Sequence, residues 1–437
     1  MSDVRVDSKG DAPGTFGSLR VRNFRLFFSG QLISQVGNWL TLISQTLLVL
    51  KITKSGFDIG LLAACQFGPV LLIGAWAGLV ADRSDKRKLL IIVQILAMLQ
   101  SFALAAIAFS PHPSLFGLYA VAVFGGVCTA FDNPARRAFV VEMVPDHYVQ
   151  NAVSLNSAMM TGARVVGPLL AGLLISTVGY GWCFTTDALS YIAVIIGLAM
   201  MRQRDMREQV MSPRGRGQVR AGLRYVRTVP DLMVPLIMMA VIGTFAYNLN
   251  VVMPLLVENT LHGSTGTFTF VYAALSLGSL FGALYTARRT TVSRRDINIA
   301  ASLFGGSMVL LAFTPNLGFA FPIGIIVGLA SVTFMTTSTS IMQIRADPAM
   351  RGRVLALQAI VFLGSTPIGG PIVGWVCEHF SPRVGLLVGA VSCFVAVAYG
   401  VWGAGPTPRP EPVRASGADA IVDMPAMIDV PSPAGGE

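Results

Sequence analysis

Twelve apolar stretches, each close to the length of a bilayer-crossing helix, follow one another along this chain with short polar breaks between them. They fall at roughly 26–50, 56–81, 89–110, 114–133, 153–177, 182–200, 232–256, 267–287, 297–314, 319–341, 354–377 and 384–403. A helix needs about 20 mainly apolar residues to cross the hydrocarbon core, so each stretch is long enough to span once. Pro111, Gly179, Pro315 and Pro382 mark breaks, because proline and glycine end or bend helices. A soluble globule is excluded: only 12% of residues are charged, against roughly 25% in soluble domains. The expectation is an all-α integral membrane protein.

The formal net charge of +10 raises the question of nucleic acid, and the placement of the cations answers it. With both termini in the cytoplasm, only Lys51, Lys54 and Arg383 fall outside and only Arg164 lies within the membrane. All other Lys and Arg lie inside, as the positive-inside rule requires, so the basicity reflects topology in a cytoplasmic membrane. No nucleic-acid partner is expected, since no aromatic-interleaved basic platform is present. The partners expected are membrane lipid, a small molecule and the proton, acting on a monomer. Five cysteines sit singly in apolar runs and four histidines fall in loops, so neither a metal site nor any cofactor is expected. The polar amino terminus has no apolar core, which argues against a cleaved signal peptide.

The longest internal loop, 202–231, holds eight arginines and divides the spans six and six. Its second part places Arg220, Arg224 and Arg227 on one helical face and Leu223 and Val226 on another, predicting an amphipathic helix at headgroup level. The domains read as a disordered tail (1–18), a six-helix bundle (19–201), the linker (202–231), a second bundle (232–404) and a disordered tail (405–437). The halves repeat weakly. Val153–Asn156 after Pro145–Asp146, Val354–Gln358 after Asp347–Pro348, and the pair Gly78 and Gly282 all share an offset of about 200 residues, as a duplicated six-span transporter predicts.

The turn from Gly78 to Lys88 is the densest cluster of charge between two spans. Gly78 is small enough for close helix approach, Asp82 offers an anion near a helix end, and Arg83, Lys86, Arg87 and Lys88 hold the turn to one side of the bilayer. With its glycine, aspartate and arginine, the turn resembles the loop between spans two and three of the major facilitator superfamily, a likeness that covers nearly all of residues 19–403. It departs at Asp85, where a second glycine is usual. That departure, with Asn133–Ala138, Arg164–Gly172 and Arg351–Val354, is similar to the twelve-span drug:proton antiporter branch containing enterobactin exporters and macrolide efflux proteins. The span-five stretch resembles the antiporter packing motif, with Ala163, Gly167, Pro168, Ala171 and Gly172, alanines replacing two glycines. The arginine that many proton-coupled relatives carry in span four is absent here.

The resemblance implies that spans one, four, seven and ten line a central cavity, and the polar residues can be set against helical spacing. Gln31, Gln35, Asn38 and Gln45 form one stripe on span one, within about 80° of arc. A stripe of amides faces protein or water: either it lines the cavity and binds substrate, or it joins helices. Span seven offers Tyr247, Asn248 and Asn250, and span ten Thr333, Thr336, Thr337 and Ser340, whose hydroxyls can instead bond back to their own helix. Asp187 and Arg164 sit deep enough to pair, as a titrating proton site or a permanent ion pair, and Asp132 lies at the inner end of span four. Gly78, Asp82, Arg83, Arg87 and Lys88 are expected to act in gating.

No zinc-protease helix, nucleophile elbow or phosphate-cradling loop occurs, so neither a membrane enzyme nor an ATP-driven pump is expected. The expected function is secondary export of a small amphipathic molecule, a drug, siderophore or other metabolite, by proton antiport with alternating access. A proton-coupled importer of a small polar metabolite and a non-transporting membrane sensor remain open.

Overall fold

The computed structural model describes residues 15–206, 218–287, 292–348 and 350–402. Both distal tails, the first part of the central loop, and Arg288 and Arg289 of the second basic turn lie outside the described residues. The described residues are almost entirely helical, and among them eleven segments are long and apolar enough to cross a membrane. The first half holds α1 (Arg22–Thr53), α2 (Gly56–Arg83), α3 (Lys86–Phe109), α4 (Leu115–Glu142), α5 (Asp146–Thr177) and α6 (Tyr180–Ala199). After the linker helix α7 (Gln218–Thr228) come α8 (Pro230–Phe245) and α9 (Leu249–Leu255), which form one broken span ending in a π turn at Leu256–Thr260. α10 (Thr265–Ala287), α11 (Arg294–Ala312), α12 (Leu317–Arg345), α13 (Arg351–His379) and α14 (Pro382–Trp402) complete the second half. α11, ninth in order, brings the crossings to twelve and packs on α12 and α14; it opens with Arg294, Arg295 and Asp296, which dilute its hydropathy.

Local signals set the helix ends. Ser55, Asp85 and Ser114 accept from the backbone N–H three residues on, and Ser293 with Asp296 forms a reciprocal capping box. Asp85, the departure noted above, is therefore the cap that starts α3. The amino-terminal boundary differs from expectation: Gly17–Arg20 forms a 3-10 turn, and the Ser18 amide donates to Asn151 Oδ1 at 2.9 Å, so residues 15–18 are docked on α5 rather than part of a tail. The amphipathic helix α7 is present, but Val226 is buried among Leu232, Met342, Ala346 and Val354. Its apolar face docks on the second half rather than on headgroups, because that half offers an apolar site of its own.

Each half packs through equivalent pairs: α1 on α6, α2 on α4 and α3 on α6 in the first, α10 on α12 and α11 on α14 in the second. The halves meet through α2 on α13 and α5 on α10. One face of the molecule, called here the basic face, carries the α2–α3 and α4–α5 turns and α7; the opposite face carries Lys51, Lys54 and Arg383. The α2–α13 contact lies towards the opposite face and is built on glycine. A methyl group at Gly60 would lie 2.8 Å from Pro371 Cα, one at Gly370 would lie 2.9 Å from the Gly60 carbonyl oxygen, and one at Gly374 would lie 2.8 Å from the Gly56 carbonyl carbon. Two glycines four apart on each helix thus let the backbones touch. Gly172 of α5 abuts Thr269 of α10 in the same way and at the same face.

Candidate functional site

Beside the glycine seam, Glu378 at the end of α13 reaches across to the start of α2. Its Oε2 accepts from Ser55 Oγ at 2.6 Å and from the Phe57 amide at 3.0 Å, a carboxylate on the positive end of a helix dipole. The halves are therefore closed at the opposite face. On the basic face of the same helix nothing lies within 4 Å of a methyl group placed at Gly78. The close approach expected at Gly78 is absent in this conformation, because the α2 seam is made one helix-length away.

Deep in the first half, Asp187 of α6 is 1% exposed. Its Oδ2 accepts from Thr41 Oγ1 at 2.8 Å and Ser101 Oγ at 2.7 Å, so α1 and α3 both hold it. The Ser190 hydroxyl donates to the Asp187 backbone carbonyl, leaving Oδ1 without a donor. Arg164 does not pair with it. The expected Asp187–Arg164 bridge is corrected: depth along the two helices suits a bridge, but Asp187 meets the Gly37–Thr41 side of α1 while Arg164 lies over the Trp39 ring, 5.4 Å from its centroid. Positions 37 and 39 point about 200° apart on a helix, so α1 itself separates the two charges. Asp132 is a third case: it pairs with Arg136 one turn on and accepts from Gln94 Nε2 at 2.8 Å. That buried pair has its partner within its own helix.

The stripe on α1 faces the interior of the first half rather than a cavity. Gln31, Gln35 and Gln45 are buried; Gln35 Nε2 donates to Gln31 Oε1, Gln45 Nε2 donates to the Leu118 carbonyl, and Gln66 of α2 donates to Gln45. Asn38 Oδ1 accepts from the Tyr191 hydroxyl at 2.8 Å. Gln45 and Asn38 thus join α1 to α2, α4 and α6, while Gln31 and Gln35 bond each other within α1, so the buried stripe serves packing of the first half rather than a cavity wall. On α12, Thr333 and Thr336 donate to carbonyls one turn back, and Thr337 is buried. Asn248 stands at the break between α8 and α9 and donates to the Thr244 carbonyl at 2.6 Å, while Asn250 lies within α9. Tyr247, at the same break, donates to the Ser331 carbonyl at 2.6 Å and stacks edge-on against Phe304 and Phe362. The span-five residues Ala163, Gly167, Pro168, Ala171 and Gly172 are all buried, with Gly167 packed on Trp39.

The sequence matches the transmembrane secretion effector family of major facilitator transporters over residues 13–408. The chain belongs to this family. Macrolide efflux protein A of Streptococcus pyogenes is 22% identical over 353 residues, covering 79% of this chain and 87% of that protein. The enterobactin exporter EntS of Shigella boydii serotype 18 is 22% identical over 367 residues, covering 82% and 86%. A solved bacterial homologue of the human lysosomal transporter Spinster, inward-facing and unoccupied, shares the fold with a TM-score of 0.64 at 16% identity, covering 90% of this chain and 97% of that one. The fold is thus the major facilitator fold, and the protein is a multi-pass membrane transporter.

In this transporter the basic turn is anchored by residues of unequal weight. Lys86, 6% exposed, forms a 2.7 Å ion pair with Glu142 of α4. Arg87 donates to the Leu198 and Ala199 carbonyls, capping the last turn of α6. Lys88 lends its amide to the Asp85 cap, and Arg83 closes α2. Sequence reasoning left Lys86 among the orientation anchors, and Glu142, Glu378 and Trp39 went unremarked. Trp39 had a readable signal, a lone tryptophan in the middle of an apolar span.

Proposed function

We propose that this transporter is a secondary active exporter of small amphipathic molecules, driven by protons entering as substrate leaves. The observation that carries the reading is Asp187: a buried carboxylate, mid-span, held by hydroxyls from two other helices and, among the described residues, by no cation. A charge near the bilayer centre costs about 2.5–3.5 kcal/mol even on the lenient insertion scale. Protonation removes that charge, and the α1–α3–α6 contacts around the carboxylate are the elements it would bias. Seams at one face and open space at Gly78 on the other support alternating access. Macrolide and enterobactin export by the two relatives supports the outward direction and an amphipathic substrate class. On this reading the protein lies in the cytoplasmic membrane with both termini inside, works as a monomer without a cofactor, and carries out no catalysis.

The test is uncoupler-sensitive efflux of a preloaded fluorescent amphipathic dye from cells expressing wild type or Asp187→Asn. The expected result is efflux by wild type that collapses with the uncoupler, and none by the variant at equal membrane abundance. Wild-type rates in Asp187→Asn would remove the coupling role.

A further inference from the structure

One half-buried cation of the first half, Arg164, stands without an anion among the described residues. Arg164 lies about 20 Å from the outer end of α5, close to the middle of the bilayer. No carboxylate approaches it within ion-pair distance among the described residues, and its Nε is buried without a hydrogen-bond partner. The two other deep acids are committed elsewhere, Asp187 to Thr41 and Ser101 and Asp132 to Arg136. The guanidinium has aromatic neighbours: the face of Trp39 from α1, 5.4 Å from the ring centroid, and Tyr272 of α10, close enough to interact with it. Tyr247, fixed by its bond to the Ser331 carbonyl, stands nearby with Phe362 against it. Both halves thus contribute to one aromatic setting around one cation.

The helix faces on either side of Arg164 differ in exposure. Gly167, Pro168, Ala171 and Gly172 are buried above Arg164, towards the closed face. Below it, Met160, Ser157 and Val153 fall on the same face of α5 at intervals of three and four residues and are all exposed. On α1, Leu32 lies two turns below Trp39 and is exposed as well. These exposed faces run from the guanidinium towards the basic face, where the halves are not sealed by the glycine seam.

We infer that Arg164 is the docking point for the acidic group of the substrate, and that the substrate class is an amphipathic organic anion with an aromatic or flat apolar body. A carboxylate, sulfonate or phosphate would meet the planar donor fork of the guanidinium, and the Tyr272 hydroxyl would add one donor. Trp39 and Tyr247 would flank the apolar body. The inference rests on the transporter reading given above and narrows its substrate.

Three probes with one body and different charge test it: dansylglycine (anionic), dansylglycinamide (neutral) and dansylcadaverine (cationic). Binding to the purified full chain is read by energy transfer from tryptophan to the dansyl group. Wild type is expected to bind dansylglycine at least about tenfold more tightly than the amide, a preference lost in Arg164→Gln, partly kept in Arg164→Lys and weakened in Tyr272→Phe. Saturable binding of the neutral amide by every variant, with a smaller loss of affinity than for dansylglycine, also shows that they are folded. Equal affinity for acid and amide in wild type, a preference for the cationic probe, a preference that survives Arg164→Gln, or no saturable binding of any probe would each overturn the assignment. Efflux of dansylglycine from vesicles is measured in parallel: charge-selective binding without efflux supports the anion site and removes the exporter reading, so the two can fail separately.

Discussion

Replacing Gly60 by alanine should open the face that is closed in this structure. A methyl group there would lie 2.8 Å from Pro371 Cα, whereas carbon atoms rest about 3.5–4.0 Å apart, so α2 and α13 must separate by roughly 1 Å. Overpacking a fitted contact costs about 1–3 kcal/mol. That cost falls only on the state in which the seam is made, and 1.4 kcal/mol is a factor of 10, so the closed state loses about 5- to 150-fold in relative population. Alanine also favours helix over glycine, but equally in both states, so the gain cancels in the ratio. The measurement is the distance between spin labels at His112 and His262, exposed turn residues of the two halves at the opposite face. The control is Gly306→Ala, where nothing lies within 4 Å. Gly60→Ala is expected to populate longer distances and to slow transport. A distance distribution identical to that of Gly306→Ala would refute the steric argument.

Three further outcomes are expected. Glu378→Gln keeps an acceptor for Ser55 and Phe57 but loses the charge on the helix terminus; since Glu378 is exposed, the effect is about 1 kcal/mol or less, seen as a smaller shift of the same distance. Lys86→Met leaves Glu142 without its cation in a largely buried site and should lower stability by about 3 kcal/mol, read by thermal unfolding in detergent; the double variant Lys86→Met with Glu142→Leu should recover most of it. Asp132→Asn should likewise destabilise the inner end of α4 by stranding Arg136, and Arg136→Met should cost less, because the Asp132 carboxylate left behind keeps its bond from Gln94 and can take up a proton, which a guanidinium cannot mirror.

What the sequence made legible was what each helix carries in itself. Span number, the division into halves, the amphipathic nature of α7 and the phase of the α1 stripe all follow from local composition. What a face is turned towards does not. Gln31, Gln35, Asn38 and Gln45 share one arc, but the interior of a bundle and the wall of a cavity are equally acceptable to amides, and α2, α4 and α6 supply the partners of Asn38 and Gln45. Depth placed Asp187 near Arg164; only the positions of Gly37 and Trp39 on α1 separate them. The glycine seam was hidden because Gly56 follows the Ser55 cap and reads as a helix start, and Gly370 and Gly374 stand among prolines and read as breaks.

The two copies of the basic turn give these observations a direction. In the second copy, Gly282 packs against the Leu329 carbonyl, and Thr286 is buried and bonded to Thr336, so α10 is held to α12 within its own half. In the first copy, Gly78 meets nothing, although α2 is seamed to α13 at its other end. Its backbone is ordinary helix, so glycine is required there neither by conformation nor by packing in this state. A small residue at Gly78 has a steric use only when the basic face closes and a neighbouring helix comes up to it. Gly78→Leu should therefore cost nothing in the present state and penalise the alternative, shifting the equilibrium opposite to Gly60→Ala: the His112–His262 distances narrow, and transport slows all the same. Combining the two should return the distances towards wild type while transport stays slow, since both end states are then strained. A shift of Gly78→Leu towards longer distances would place the contact of Gly78 in the wrong state and remove α2 as the helix that trades one seam for another.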